Sequence, residues 1–141
     1  MSEQEVMDYL VGKKSESDEQ GCPVVAGIVD ESGEIIYATN SIEDGFAKKF
    51  PEEIKKRSEF FYRHVKHAEI VLVEKLKLMG KDLQGKVVLV TLLPCRECLK
   101  VLLAEGVKEI VYREDHEARG WSKRSHDFMI EYSICNRRLS E

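Results

Sequence analysis

The sequence predicts an α/β layered sheet, and three observations carry that expectation. Two apolar runs flank Asp30-Glu31-Ser32-Gly33, a hairpin turn signal. A long apolar stretch at 70–79 reads as a buried helix. From residue 87 onward, strand, helix and strand patterns alternate at lengths that imply a right-handed parallel crossover, and the hairpin adds antiparallel strands to the same sheet.

The elements follow in order. Val6, Met7, Leu10 and Val11 mark an amphipathic opening helix that ends near Gly12, and residues 13–20 read as a charged, serine-containing linker. The expected organisation is therefore a helix and linker over 1–20, then a single domain over 21–141. Residues 24–29 form a buried strand and 34–39 its antiparallel partner. Residues 41–50 read as a loop. Pro51 opens a helix reaching about residue 64, with Glu52 and Glu53 ahead of Lys55, Lys56 and Arg57, the charge order that suits a helix dipole. The basic run is expected on a solvated face of that helix. After the helix at 70–79 come a strand at 87–92, a helix carrying Leu99, Val101, Leu102 and Leu103, a stop at Gly106 and a strand at 109–112. Phe128, Met129, Tyr132 and Ile134 place a final helix within 122–139.

At 141 residues the chain holds one sizeable core. Charged residues are 34% of it and its net charge is −4, so no global basic field attracts nucleic acid, although a local patch could bind a phosphate. The N-terminus does not resemble a secretory signal, and no apolar run approaches the ~20 residues of a membrane span. The expectation is a cytoplasmic protein in a reducing compartment, since its four cysteines do not read as a disulfide framework.

The chemistry concentrates in His67-Ala68-Glu69 and Pro94-Cys95-Arg96-Glu97-Cys98. One imidazole and two thiolates suit zinc, and three protein ligands leave the fourth tetrahedral position to water, whose pKa a zinc ion lowers to roughly 7. Glu69, two residues past the histidine, is the proton carrier expected beside such a metal. Cys95 and Cys98 share one face of a first helical turn, where the helix dipole favours thiolate. A lone Cys-x-x-Cys also serves as half of a structural zinc site or as a redox pair. No second one is present, and a redox pair has no use for His67 or Glu69.

With these residues in place, the chain resembles the cytidine deaminase superfamily and, over 67–114, the deoxycytidylate (dCMP) deaminases within it. The similarity includes Gly80-Lys-Asp-Leu-Gln-Gly85, Val90-Thr91-Leu92-Leu93-Pro94-Cys95 and Gly106-Val107-Lys108-Glu109-Ile110-Val111-Tyr112. It extends more weakly to Cys22 and to Gly120-Trp121. The sequence departs from the family at Ile70-Val71-Leu72, where Asn and a small residue are usual, at Leu93, and in the Tyr37–Ser41 segment, which is shorter and lacks two glycines.

The resemblance implies a three-layer α-β-α cytidine-deaminase-like fold, one catalytic zinc per chain on His67, Cys95 and Cys98, and Glu69 as catalytic acid and base. The implied activity is hydrolytic deamination of a cytosine nucleotide to its uracil counterpart and ammonia. The implied partners are a small pyrimidine nucleotide and further copies of the chain, with nucleic acid and membrane not expected. Asn40, Ala68, Leu93 and His116 align with substrate-contacting places, Leu93 through its backbone. Arg113, Arg119, Lys123 and Arg124 are phosphate candidates because Arg grips phosphate bidentately. His64 is a candidate support for the metal site, set against an ordinary surface histidine, and Cys22 and Cys135 read as unligated thiols. The alternatives are deamination of another base, such as adenosine in tRNA, guanine or a pteridine precursor, and a zinc-binding partner subunit without activity.

Overall fold

A computed structural model describes residues 1–139. Helix α1 (Glu3–Gly12) opens with a capping box in which Ser2 and Glu5 satisfy each other's backbone N–H groups. Strands β1 (Val25–Val29) and β2 (Ile35–Thr39) form the expected hairpin. There follow β3 (Ser41–Ile42), α2 (Phe46–Lys49), α3 (Pro51–Lys56), α4 (Glu59–Tyr62) and β4 (Val65–Lys66). The second half holds α5 (Ala68–Leu78), β5 (Val87–Leu92), α6 (Arg96–Ala104), β6 (Glu109–Glu114), α7 (Gly120–Glu131) and β7 (Asn136–Arg138).

The main sheet has the order β2-β1-β5-β6-β7. β1 runs antiparallel to both β2 and β5, and β5, β6 and β7 are parallel. This is the mixed sheet expected from the hairpin and the crossover. Alternate side chains feed two separate cores. Ala26, Ile28, Val88, Val90, Ile110 and Tyr112 face α5, α6 and α7, whereas Val25, Leu89 and Val111 face α1. Both faces are covered, so the central strands carry runs of consecutive apolar residues, 87–90 in β5 and 110–112 in β6, rather than an alternation. Gly27 lies under α1, where an added Cβ would come within 2.8 Å of Leu10. Its missing side chain lets the helix settle onto the strand.

Four stretches differ from the expectation. Residues 13–20 are not a loose linker: a 3₁₀ turn at Lys14–Glu16 leads to Ser17 and Glu19, both buried. The supposed loop at 41–50 contains β3, paired with β4 in a two-stranded ribbon, and α2. The single helix expected from Pro51 to residue 64 is broken at Arg57, whose φ of 49° is left-handed, after which Ser58 caps α4. The last helix ends at Glu131, and residues 136–138 become an edge strand. Asn136-Arg137-Arg138 carries no apolar alternation because all three residues are exposed; Arg137 is tied instead to Glu3 and Glu109.

The hairpin turn is organised by one carboxylate. Asp30 accepts hydrogen bonds from the Ser32 hydroxyl at 2.6 Å and from the backbone N–H groups of Ser32 and Glu34, each at 2.9 Å, and pairs with Lys81 at 3.1 Å. These contacts, led by the Ser32 hydroxyl and then Lys81, hold its pKa well below the usual carboxylate range.

Two consequences are measurable. Leu10→Ala should destabilise the protein by about 2–5 kcal/mol in denaturant unfolding, because the side chain is fully buried against Gly27. Asp30→Asn should lower the melting temperature at pH 7. A carboxylate whose pKa is depressed on folding stabilises above its unfolded pKa of about 4, so the difference from wild type should shrink as the pH falls below that value. A constant difference from pH 7 to pH 3 would assign the loss to shape rather than charge.

Candidate metal centre and cleft

The parallel strands β5 and β6 end at the same edge of the sheet, and the antiparallel β1 begins there, so the sheet delivers several chain segments to one place. His67 occupies the cap position before α5, and Cys95 the cap position before α6. Cys98 lies in the first turn of α6 and is buried. Two helix N-termini therefore meet at the three expected ligands, and their ligand atoms all lie within 4.8 Å of one another.

His67 Nδ1 is 3.2 Å from Cys98 Sγ and 3.6 Å from Cys95 Sγ. A tetrahedral zinc with ordinary Zn–S and Zn–N bonds holds such atoms about 3.5 Å apart, so the donor set fits zinc in spacing as well as in type. Its electrostatics fit too. The Cys95 thiol is driven down to about 4, chiefly by its hydrogen bond with Cys98 and further by His67, against the opposing effect of burial. Cys98 is driven upward by the same contact and by burial beside Glu69. The pKa of His67 is raised, chiefly by Cys95. Two sulfurs thus compete for one proton, a conflict that a divalent cation removes by displacing protons from the donor set.

Glu69 is in the first turn of α5 and only 3% exposed. Burial pushes its carboxyl up to about 7, while the nearby His67 pulls the other way. A buried carboxyl that takes and gives protons near neutrality suits general acid–base work.

These groups open into a cleft of about 540 Å³. Asn40, Ala68, Leu93, His116 and Arg119 all line it, together with Glu69, His67 and Cys95. The Asn40 amide is already engaged: its oxygen accepts from the Ser17 hydroxyl at 2.7 Å and the Val24 N–H at 3.0 Å, and its nitrogen donates to the Cys22 carbonyl at 2.9 Å. The Leu93 N–H donates to the Glu114 carbonyl at 2.8 Å. His116 meets Trp121 edge-on, with ring centres 6.0 Å apart, at the start of α7. Lys123 and Arg124 are not among the lining residues; Lys123 pairs with Asp127 on an exposed face of α7. The Arg113 carbonyl accepts a hydrogen bond from Arg138. His64 stacks on Phe46 and lies 2.7 Å from Glu43, outside the set of lining residues. Cys22 lines the cleft, and Cys135 is exposed.

Several lining residues escaped the sequence reading. Glu19, Arg57 and Tyr62 form one wall. Arg57 grips Glu19 through both terminal nitrogens, at 3.0 and 2.8 Å, and its Nε donates to the Tyr62 hydroxyl at 2.8 Å. Glu19 and Arg57 are 38 residues apart, so no local pattern pairs them. Two further contacts brace the site from outside the cleft. The Ser125 hydroxyl donates to the Pro94 carbonyl at 2.8 Å, next to Cys95, and Asp115 binds both the Ser122 hydroxyl at 2.6 Å and His126 at 2.7 Å. The second contact fixes the turn that carries His116 and Arg119.

Comparison with known proteins agrees with this geometry. Residues 1–114 match the family model described as the cytidine and deoxycytidylate deaminase zinc-binding region. A deoxycytidylate deaminase of Enterobacteria phage T2 is 31% identical over 72 residues, which is 50% of this chain and 38% of that protein. The chain therefore spans well under half the length of the curated relative it matches. The crystal structure of a dCMP deaminase from the cyanophage S-TIM5, in complex with dCMP and dUMP, superposes with a TM-score of 0.75 at 19% identity and covers 99% of both chains. A structure from a study of tRNA:A34 deaminases superposes less well, with a TM-score of 0.58 at 17% identity over 98% of both chains. Among the described residues no helix is long and apolar enough to cross a membrane. The ligand trio, the buried Glu69 and the matched family model together establish that this chain belongs to the cytidine and deoxycytidylate deaminase zinc-binding family.

Proposed function

We propose that the protein is a hydrolase that deaminates a free cytosine nucleotide of the dCMP type, giving the uracil nucleotide and ammonia, with one zinc ion per chain. The observation that carries this reading is the buried Glu69 beside the His67, Cys95 and Cys98 donor set at the floor of an open cleft. Zinc bound by those three residues supplies the Lewis acidity that makes water nucleophilic near neutrality.

In the reaction a C4–O bond forms, the C4–N bond breaks, and water and cytosine become uracil and ammonia. Glu69 takes a proton from the attacking water, delivers it to the ring nitrogen beside C4, and carries a second proton to the departing amine. Its raised pKa suits both directions of transfer. The base lies against Ala68 and the Leu93 backbone, with His116 and Trp121 bounding its open side. Asn40 keeps residues 17–24 in place through three hydrogen bonds and retains one amide N–H for the sugar. Arg119, the phosphate candidate that lines the cleft, takes the phosphate, and the Arg124 guanidinium lies close by at Gly120, whereas Lys123 pairs with Asp127. The net charge of −4 favours a small nucleotide over a polyanion.

Metal analysis of the purified protein should find about one zinc per chain. Cys95→Ser should lose most of it, whereas Glu69→Gln should retain it and lose turnover by roughly 10²–10⁴-fold. Near-normal turnover by Glu69→Gln would require another proton carrier.

A substrate panel read by ammonia release decides the base. Cytidine, deoxycytidine, their mono- and triphosphates, adenosine, guanine and a tRNA should be tested, with dCMP expected to give the highest kcat/KM. Turnover of tRNA alone would replace the free nucleotide as substrate and leave the zinc chemistry standing.

A further inference from the structure

We infer that Arg57, held by Glu19, is an anion-binding residue of the cleft that selects substrates bearing a phosphate; this deepens the proposed nucleotide reading and rests on it.

Arg57 sits in a left-handed backbone conformation, with φ of 49°, between two short helices. A non-glycine residue adopts that conformation at an energetic cost unless its surroundings demand it. Here Arg57 closes α3 as a left-handed cap, with the Arg57 N–H donating to the Ile54 carbonyl at 3.1 Å and the Ser58 N–H to the Glu53 carbonyl at 3.3 Å, and it sends the side chain into the cleft to bind Glu19 bidentately. Glu19 is only 3% exposed, and its Oε1 also accepts the Gly21 N–H at 3.1 Å. The guanidinium lies so close over Gly21 that a Cβ there would fall 2.1 Å from Nη1. The rings of Phe61 and Tyr62 are within 5.4 and 5.2 Å of its central carbon. Carboxylate, hydroxyl, glycine and two aromatic rings therefore fix one guanidinium in one place.

A structural ion pair would need none of this to face a ligand cleft, yet Glu19, Gly21, Arg57 and Tyr62 all line it. Arginine carries five N–H donors, and the bonds to Glu19 and Tyr62 commit three of them. Two remain, and the Tyr62 hydroxyl that accepts from Nε still has its own proton to donate. Prepositioned donors of this kind suit a phosphate, because binding then orders no long side chain. Glu19 cancels much of the Arg57 charge, so the wall supplies direction and discrimination while Arg119 supplies net positive charge to the same cleft. The buried carboxylate also rejects a phosphate placed anywhere but on the outer side of the guanidinium.

The test uses the zinc-loaded protein and two readouts. The first is kcat/KM for dCMP and for deoxycytidine; the second is binding of inorganic phosphate by calorimetry. Three variants disturb the wall differently: Arg57→Lys keeps the charge but loses the fork, Gly21→Ala displaces the guanidinium without removing a charge, and the double change Glu19→Gln with Arg57→Met removes the pair without stranding a buried ion. Each should reduce kcat/KM for dCMP roughly ten- to hundredfold, leave the nucleoside within about threefold, and weaken phosphate binding, as expected for lost charge-assisted hydrogen bonds. Equal losses on both substrates, or phosphate binding unchanged by all three variants, would overturn the assignment and make the wall purely structural. If the wild-type protein deaminates neither compound, the proposed function fails by itself. The phosphate measurement then still judges Arg57: binding that the variants abolish sustains it, and no binding by the wild type overturns it.

Discussion

Everything at the candidate site depends on two helices beginning at the same point. His67 and Cys98 are 31 residues apart, yet their ligand atoms stand 3.2 Å from each other. That is possible only because α5 and α6 lie on the same face of the sheet and both start at the edge where β5 ends. The parallel pairing of β5 and β6 sets that edge, and the insertion of β5 between β1 and β6 brings the hairpin to it as well. Apolar packing by Leu72, Leu76, Leu99 and Leu102 holds the helices down. The three candidate ligands thus sit at the end of a hydrophobic arrangement, and their spacing is a property of the core.

The opposite side of the cleft is built on another principle. Residues 17–24 are fastened by polar bonds, to Asn40 on one side and to Arg57 on the other, while the segment beyond Arg57 is anchored by the fully buried Phe61, which packs against Phe46. Asn40 binds Ser17, Cys22 and Val24, and Glu19 binds Arg57. Hydrogen bonds are directional, so such a wall has a defined shape, but each depends on two distant residues being present together.

This contrast explains what the sequence disclosed. That His67, Cys95, Cys98 and Glu69 come together was legible because the chemistry they suit demands fixed residue types at short spacings, and β5 and α6 were legible because burial imposes a period. The same was true of the hairpin, where Asp30 and Gly33 supply turn chemistry within four residues. Glu19 and Arg57 were illegible for the complementary reason. Glu19 lies in a charged stretch that reads as a linker, and Arg57 in a basic run that reads as a solvated helix face, and their partnership exists only in three dimensions. The edge strand β7 was missed because its three exposed residues leave no hydrophobic trace.

That edge strand also limits how the molecule can meet others. A sheet normally invites extension wherever an outer strand presents unpaired backbone. Here one outer strand is three residues long and bears Arg137 and Arg138, each tied to a carboxylate. At the other, β2 has Lys75 donating to the Tyr37 carbonyl at 2.8 Å. Charged side chains stand guard at both rims, so the strands offer a poor template for stacking one molecule's sheet onto the next. Edge-to-edge pairing of sheets, and amyloid-like growth from the folded state, are both disfavoured by the same few charges.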